Sequence, residues 1–291
     1  MLKVVLFTNS KRGIGILNEL KREKYITQAI FFHKTIKKNI LEKIKNDFNI
    51  PIFEKTNDSL KQIESYESDI FIVAGFPEIF DKKFLTIPKY GVINLHAGFL
   101  PNYRGGSPLN WQIINGEKNL GVSLIKMNER IDLGNILIKK KFRLKDSETI
   151  YHAHKKANRL FERNINSAIK MLLNGNKGEK QTTKKGTYYH QRSDLDGEIN
   201  WNQEKLKIVN FIRAISEPYP GAYTFFQNKK VRIYEVEKTE MSIKGTIGRV
   251  FYIQKEGPFV ICSNGALYIK SYKSEDNKAI KSGFFKNSNS S

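Results

Sequence analysis

The chain of 291 residues carries 50 Lys and Arg against 29 Asp and Glu, a net charge of +21, and is 40% hydrophobic and 12% aromatic. That length can bury two cores, the composition excludes a disordered chain, and no apolar run approaches the roughly 18–20 residues of a membrane span. The charge suits an anionic partner such as RNA or a phosphate-bearing ligand, but the Lys residues are dispersed over helix surfaces among Asn and Ile, the pattern of a solvated basic surface. A single cysteine, Cys262, excludes an intramolecular disulfide. With no small-residue cleavage site behind MLKVVLFTN, the expectation is a soluble cytoplasmic protein.

LKVVLF (2–7) reads as a strand, followed by a loop and a helix over 13–20. Gly13 and Gly15 there suggest a dinucleotide fingerprint, but Asn18 stands in place of its third glycine, so a tight turn into a helix is the better reading. AIFFH (29–33) reads as a strand, 40–48 as a Lys-rich helix, PIF (51–53) as a strand, 60–63 as a helix and DIFIVAGF (69–76) as a strand. This alternation predicts a Rossmann-like, doubly wound, mostly parallel sheet. Gly75–Phe80 then leaves a strand at its carboxyl end, where ligands of open α/β sheets bind. Phe76 and Phe80 could floor an apolar slot there or pack a helix.

Gly91–Leu95 predicts a buried strand ending on Asn94 and His96. A Gly- and Pro-rich turn with Tyr103 and Arg104 follows, then a helix over 108–115 stopped by Gly116. LGVSLIKM (120–127) and GNILIKKKFRL (134–144) read as strands flanking a loop that holds Asp132. Apolar residues at helical spacing, Ala157, Leu160, Phe161, Ile165, Ala168, Ile169 and Leu172, predict a helix from 150 to 173 closed by Gly175. His152 and His154, two apart, face different ways and make a poor metal pair. The polar stretch 174–191 reads as a linker or exposed hairpin. After a helix over 206–216 and the turn EPYPGAY, the runs VRIYEVE, GRVFYIQ, FVICS and ALYIKSY predict a small antiparallel β domain, OB-like and read as an open barrel, ending in a frayed KNSNSS tail. The expected domains are 1–185 and 186–291.

A neutral imidazole can take a proton from an attacking amine, and an amide N–H can stabilise an oxyanion on a carbonyl under attack. A carboxylate nearby would orient the ring. Ser107 lies eleven residues past His96 on a helix start, and no Ser or Cys nucleophile stands beside the ring, so direct transfer between two substrates is simpler than an acyl-enzyme. Residue types alone leave Asn94 and His96 as either a catalytic pair or a satisfied strand-end pair.

NLHAGFLPNYRGGSPLNW, followed by GVSLIKMNERIDLGNIL, resembles the folate-dependent formyltransferases, with Asn-x-His, Leu-Pro-x-Tyr-Arg-Gly and Asp-x-Gly in order. The resemblance covers most of 65–235. It implies a metal-independent transferase using N10-formyltetrahydrofolate, with Asn94 holding the oxyanion, His96 as general base and acid, and Asp132 tuning His96. It implies folate contacts at Glu78, Ile79, Phe80, Leu100, Asn128, Glu129, Arg130 and Ile131, largely through main chain. Pro108–Trp111 is similar to the helix start of bacterial sugar-nucleotide N-formyltransferases, so the expected acceptor is a nucleotide-linked amino sugar for surface glycan or lipopolysaccharide biosynthesis. Initiator tRNA is the second acceptor, and an inactive RNA-binding relative the third reading. Gly106 departs from the arginine of the 4-amino-4-deoxyarabinose enzyme. Tyr103 and Arg104 are expected near the acceptor cleft, as substrate contacts or equally as a structural cap, and Asn110 at the acceptor, with Tyr219 and Tyr223 able to stack on a base or to pack a core. A homodimer through the late strands is expected.

Overall fold

The computed structural model describes residues 1–56 and 58–286. Contacts divide the chain into two units. The first comprises Met1–Gly105, Gly121–Phe142 and Lys155–Tyr189; the second comprises Gly106–Leu120, Arg143–His154 and His190–Ser291.

The first unit is built on β1 (Lys3–Thr8), β2 (Ile26–Phe32), β3 (Ile52–Glu54), β4 (Ile70–Ala74), β5 (Val92–His96), the two-residue β6 (Arg104–Gly105), β7 (Asn119–Lys126), β8 (Asn135–Arg143) and β9 (Tyr188–Tyr189). Seven of these form one sheet in the order β3-β2-β1-β4-β5-β7-β8, while β6 pairs with β9. Pairing is parallel from β3 through β5 and turns antiparallel between β5 and β7. The central strands are apolar on both faces, as a sheet covered by helices requires: every residue of β4 is buried, and all but the first of β1.

The helices are α1 (Lys11–Arg22), α2 (Lys38–Asp47), α3 (Ser59–Ser65), α4 (Lys82–Leu85), α5 (Pro108–Ile114), α6 (Ile150–Leu173) and α7 (Lys205–Ile215). α6 has the predicted bounds, and Ala157, Phe161, Ile165, Ala168, Ile169 and Leu172 are its buried stripe. Gly13 and Gly15 lie within α1, where the Thr8 and Glu162 side chains fill the room a Cβ would need, so both are packing residues. Phe7 centres an aromatic cluster with Phe31, Phe71, Phe76, Phe80 and Phe84 at ring separations of 5.1–5.8 Å. Fully burying each such ring contributes roughly 1.5–3 kcal/mol. The cluster fixes the floor beneath the carboxyl ends of β1 and β4.

The second unit contains a closed antiparallel barrel: β10 (Ala222–Phe226), β11 (Lys229–Lys238), β12 (Arg249–Ile253), β13 (Glu256–Cys262), β14 (Gly265–Ser274) and β15 (Gly283–Lys286), in the order β10-β11-β14-β13-β12-β15. The four strands read from sequence would leave two open edges. β10 covers the edge at β11, and β15 closes the ring by pairing with both β10 and β12, which satisfies backbone groups that an open sheet exposes. Apart from Lys286 in β15, the tail KNSNSS lies outside the described residues. The architecture is a Rossmann-like, mostly parallel α/β sheet followed by a small closed β barrel. Among the described residues no helix is long and apolar enough to cross a membrane.

Candidate active site

Alternate residues of a strand face the same way, so Asn94 and His96 share one face of β5. Pairing with β4 stops at Asn94, whereas His96 still pairs with Ser123 of β7. Just past the last β4 pair, the guanidinium of Arg12 donates to the Leu95 carbonyl at 2.7 Å, and its Nε donates to Asn158 on α6 at 3.2 Å. The imidazole of His96 is 6% exposed. Its Nδ1 lies 3.3 Å from Asp132 Oδ1, and its Nε2 lies 2.7 Å from the Tyr103 carbonyl. Both partners are acceptors only, and a neutral imidazole carries one N–H, so with its proton on Nδ1 toward Asp132 the Nε2 lone pair is left to accept a proton. Asn94 is half-buried, and its carboxamide bonds to no other described residue. An amide donor beside a bound imidazole is thereby left for a ligand.

Local chain geometry explains the juxtaposition. Ser123 is fully buried; its hydroxyl donates to Gly98 O at 2.8 Å and accepts from Leu100 N at 3.1 Å, folding the 97–103 turn back over β7. That turn carries Tyr103 to the ring. Asp132 sits in the left-handed region at φ +52°, a conformation that costs about 1–3 kcal/mol outside glycine and needs support. Its second oxygen accepts from Gly105 N at 2.8 Å. Arg104, expected at the cleft, is instead wholly enclosed: its guanidinium donates to Gln181 Oε1, Thr182 O and Lys185 O at 3.0–3.1 Å. Gln181 Nε2 in turn donates to Asp132 O at 2.8 Å and Gly134 O at 2.7 Å. The stretch 174–191 is therefore not a bare linker. Thr187 takes the backbone N–H groups of Tyr103 and Arg104, β9 pairs with β6, and Tyr189 stacks on Tyr103 at 5.3 Å.

The model of the formyl transferase family matches residues 3–169, and that of the formyl transferase C-terminal domain matches 193–290. The chain belongs to the formyl transferase family. This formyltransferase is 30% identical to a methionyl-tRNA formyltransferase of Geobacter sulfurreducens over 83% of its own length and 77% of that relative. It is 35% identical to the bifunctional polymyxin resistance protein ArnA of Wigglesworthia glossinidia brevipalpis, over 81% of its own length and 36% of ArnA. In fold it is similar to WlaRD, a sugar 3N-formyl transferase solved with dTDP and 5-N-formyl-THF, with a TM-score of 0.71 at 21% identity, covering 96% of this chain and 99% of that one.

In this formyltransferase the segments expected at the folate present little side-chain chemistry. Glu78 is paired with Lys55 at 2.5 Å, Phe80 is locked in the aromatic cluster, and Leu100 packs with Ile125 and Ile136. Asn128 folds its own loop by bonding Leu133 O and Arg130 N at 3.0 Å, and Glu129 lies 3.7 Å from Lys82. Ile79 and Ile131 stand out, 75% and 50% exposed. Of the residues expected at the acceptor, Asn110 is 2% exposed and donates to Ala214 O at 2.8 Å, which makes it a helix anchor between α5 and α7. Tyr223 is 6% exposed with its hydroxyl on Leu195 O, and so packs within the second unit. Tyr219 is half-buried and bonds His154 Nε2 at 3.0 Å. Arg12, Ser123, Gln181 and Thr187 shape the site without having been singled out in the sequence. Arg12 and Gln181 each lie tens of residues from the groups they hold, and no local pattern marks them.

Proposed function

We propose that this formyltransferase moves a formyl group from N10-formyltetrahydrofolate to the primary amine of a nucleotide-linked amino sugar, in the cytoplasm, for a bacterial surface glycan. The observation that carries this reading is the unpartnered Asn94 carboxamide on the same strand face as an imidazole held by a carboxylate 3.3 Å away. In the proposal the amine nitrogen attacks the formyl carbon, the C–N10 bond breaks, and tetrahydrofolate leaves. Asn94 donates to the oxyanion formed in between. His96, neutral with its proton on Nδ1 toward Asp132, takes the proton lost by the amine on Nε2 and returns it to N10, with Nε2 turning from Tyr103 O to substrate. Asp132 keeps the ring oriented and stabilises its charged form. A folate fits the residues present: Glu78–Phe80 and Asn128–Ile131 each offer main chain and an exposed isoleucine, Ile79 and Ile131, as apolar contact for a flat ring. The folate and dTDP carried by WlaRD support the donor and the class of acceptor.

Gly106 bears on which sugar is used. A Cβ there would lie 2.3 Å from Gln191 Cα, so the long side chain expected of the arabinose enzyme has no room. We read residues 1–185 as the catalytic domain and 186–291 as an appended one, with a second copy bound through the late strands. Initiator tRNA is the second reading, favoured by the net charge of +21 and by the methionyl-tRNA formyltransferase relative.

The test is formyl transfer to a panel of nucleotide-activated amino sugars, with initiator methionyl-tRNA alongside and His96→Asn as control. Turnover of a sugar nucleotide with a loss of about 100-fold or more in the control is expected. Turnover of the tRNA alone would replace the acceptor, and a control as fast as the parent would remove His96 from the mechanism.

A further inference from the structure

We infer that Gln181, anchored by Arg104, is the positioning residue that holds Asp132 against His96. The inference rests on the proposed role of Asp132 in orienting that ring. Asp132 occupies left-handed backbone, and its side chain must reach both His96 Nδ1 and Gly105 N. The Gln181 carboxamide nitrogen donates to the carbonyls of Asp132 and Gly134, bracketing Leu133. Its oxygen accepts from Arg104, whose other guanidinium bonds run to the carbonyls of Thr182 and Lys185. Arg104 directly precedes Gly105, the residue whose N–H holds the Asp132 carboxylate. Asp132 is thus gripped at its main chain by Gln181 and at its side chain by the strand that Arg104 fastens. Gln181 makes no hydrogen bond to His96, so its effect on the ring passes through Asp132 or, by way of Arg104, through the adjoining Tyr103 carbonyl, and the double variant below separates the two routes.

Holding the segment 179–189 in place would by itself use the same bonds. The two roles separate at the ring. The chain has five histidines, so in protein carrying labelled histidine the His96 ring signal is identified by its disappearance in His96→Asn. Asp132→Asn should displace that signal. Gln181→Glu keeps an oxygen for Arg104 but turns a carboxylate oxygen toward two carbonyls, and Gln181→Met removes both arms. Both variants should move the His96 signal in the direction seen with Asp132→Asn. They should also lower kcat by roughly tenfold or more with KM for the formyl donor little changed. Adding Gln181→Met to Asp132→Asn should cost less than about twofold further, since neither can act once the other is gone. A His96 signal unmoved by both Gln181 variants, while Asp132→Asn displaces it, overturns the inference and leaves the mechanism standing. Loss of the whole fold in both Gln181 variants also overturns it, because a clamp confined to the Asp132 loop leaves the sheet intact. If Asp132→Asn itself leaves the ring signal in place, the pairing fails and the proposed role of Asp132 fails with it.

Discussion

His96 works in a space set by an atom that is missing. A Cβ on Gly98 would lie 2.5 Å from His96 Nε2 and 2.4 Å from the Tyr103 carbonyl, both closer than real contacts allow. Gly98→Ala should therefore swing the ring or the Tyr103 turn while the sheet behind them stays put. Displacements of about 1 Å can cost roughly 100-fold in rate, so a comparable fall in formyl transfer is expected with little change in melting temperature. A variant with the parent rate would show that the ring and the turn move without consequence. At this scale the sequence was informative where chemistry is local. An amide two residues before an imidazole, at the end of an apolar run, already suggested Asn94 and His96, while Asp132 came from the family resemblance and not from spacing. Gly98 was illegible because its reason is a neighbour in space, and it is one of twenty glycines. Arg104 stayed ambiguous for the same reason. An arginine in a turn can contact a substrate or cap the turn, and only the fold shows its guanidinium enclosed among carbonyls.

Helices and strands with strong periodicity were legible, which is why α6 and the central strands stand where the pattern put them. Elements made by pairing over long distances were not: β6 with β9 and the barrel-closing β15 are too short to carry a period of their own. The packing of α1 against α6 illustrates what periodicity leaves out. Glu162 reaches over Gly15, its carboxylate filling the notch the glycine leaves. Burial there raises its carboxyl above the ordinary range, and Glu19 adds to the shift against the opposing pull of Arg159 and Arg163. A carboxyl whose folded value is raised binds more protons folded than unfolded, so it lowers stability as pH rises from the ordinary glutamate value through the folded one. Glu162→Gln should accordingly raise the melting temperature at pH 8, with the gain shrinking as pH falls through that window and absent below it. Thermal unfolding of both proteins across pH 3–8 measures this. An equal difference at every pH would mean that size and hydrogen bonding, not charge, set the effect.

Over the whole molecule the dominant electrostatic fact is the excess of 50 basic over 29 acidic residues. Such a field attracts any polyanion, and it acts whether or not the acceptor is an RNA. The two proposed acceptors differ in what that attraction should look like. If the charge is a solvated surface and the acceptor a sugar nucleotide, binding to RNA is wholly of the counterion-release kind: steep in salt and indifferent to sequence. Initiator and elongator tRNA should then bind within about threefold of each other at low salt, and both should lose roughly 10³-fold or more between 50 and 200 mM salt. If the acceptor is initiator tRNA, contacts that read the molecule add to the field, and a preference for the initiator should survive the salt that removes the elongator. A salt-titrated binding assay of the two tRNAs decides between these outcomes without needing the sugar. A preference for the initiator that persists at 200 mM salt would move the acceptor from the sugar nucleotides to tRNA, while leaving the chemistry at His96 as it stands.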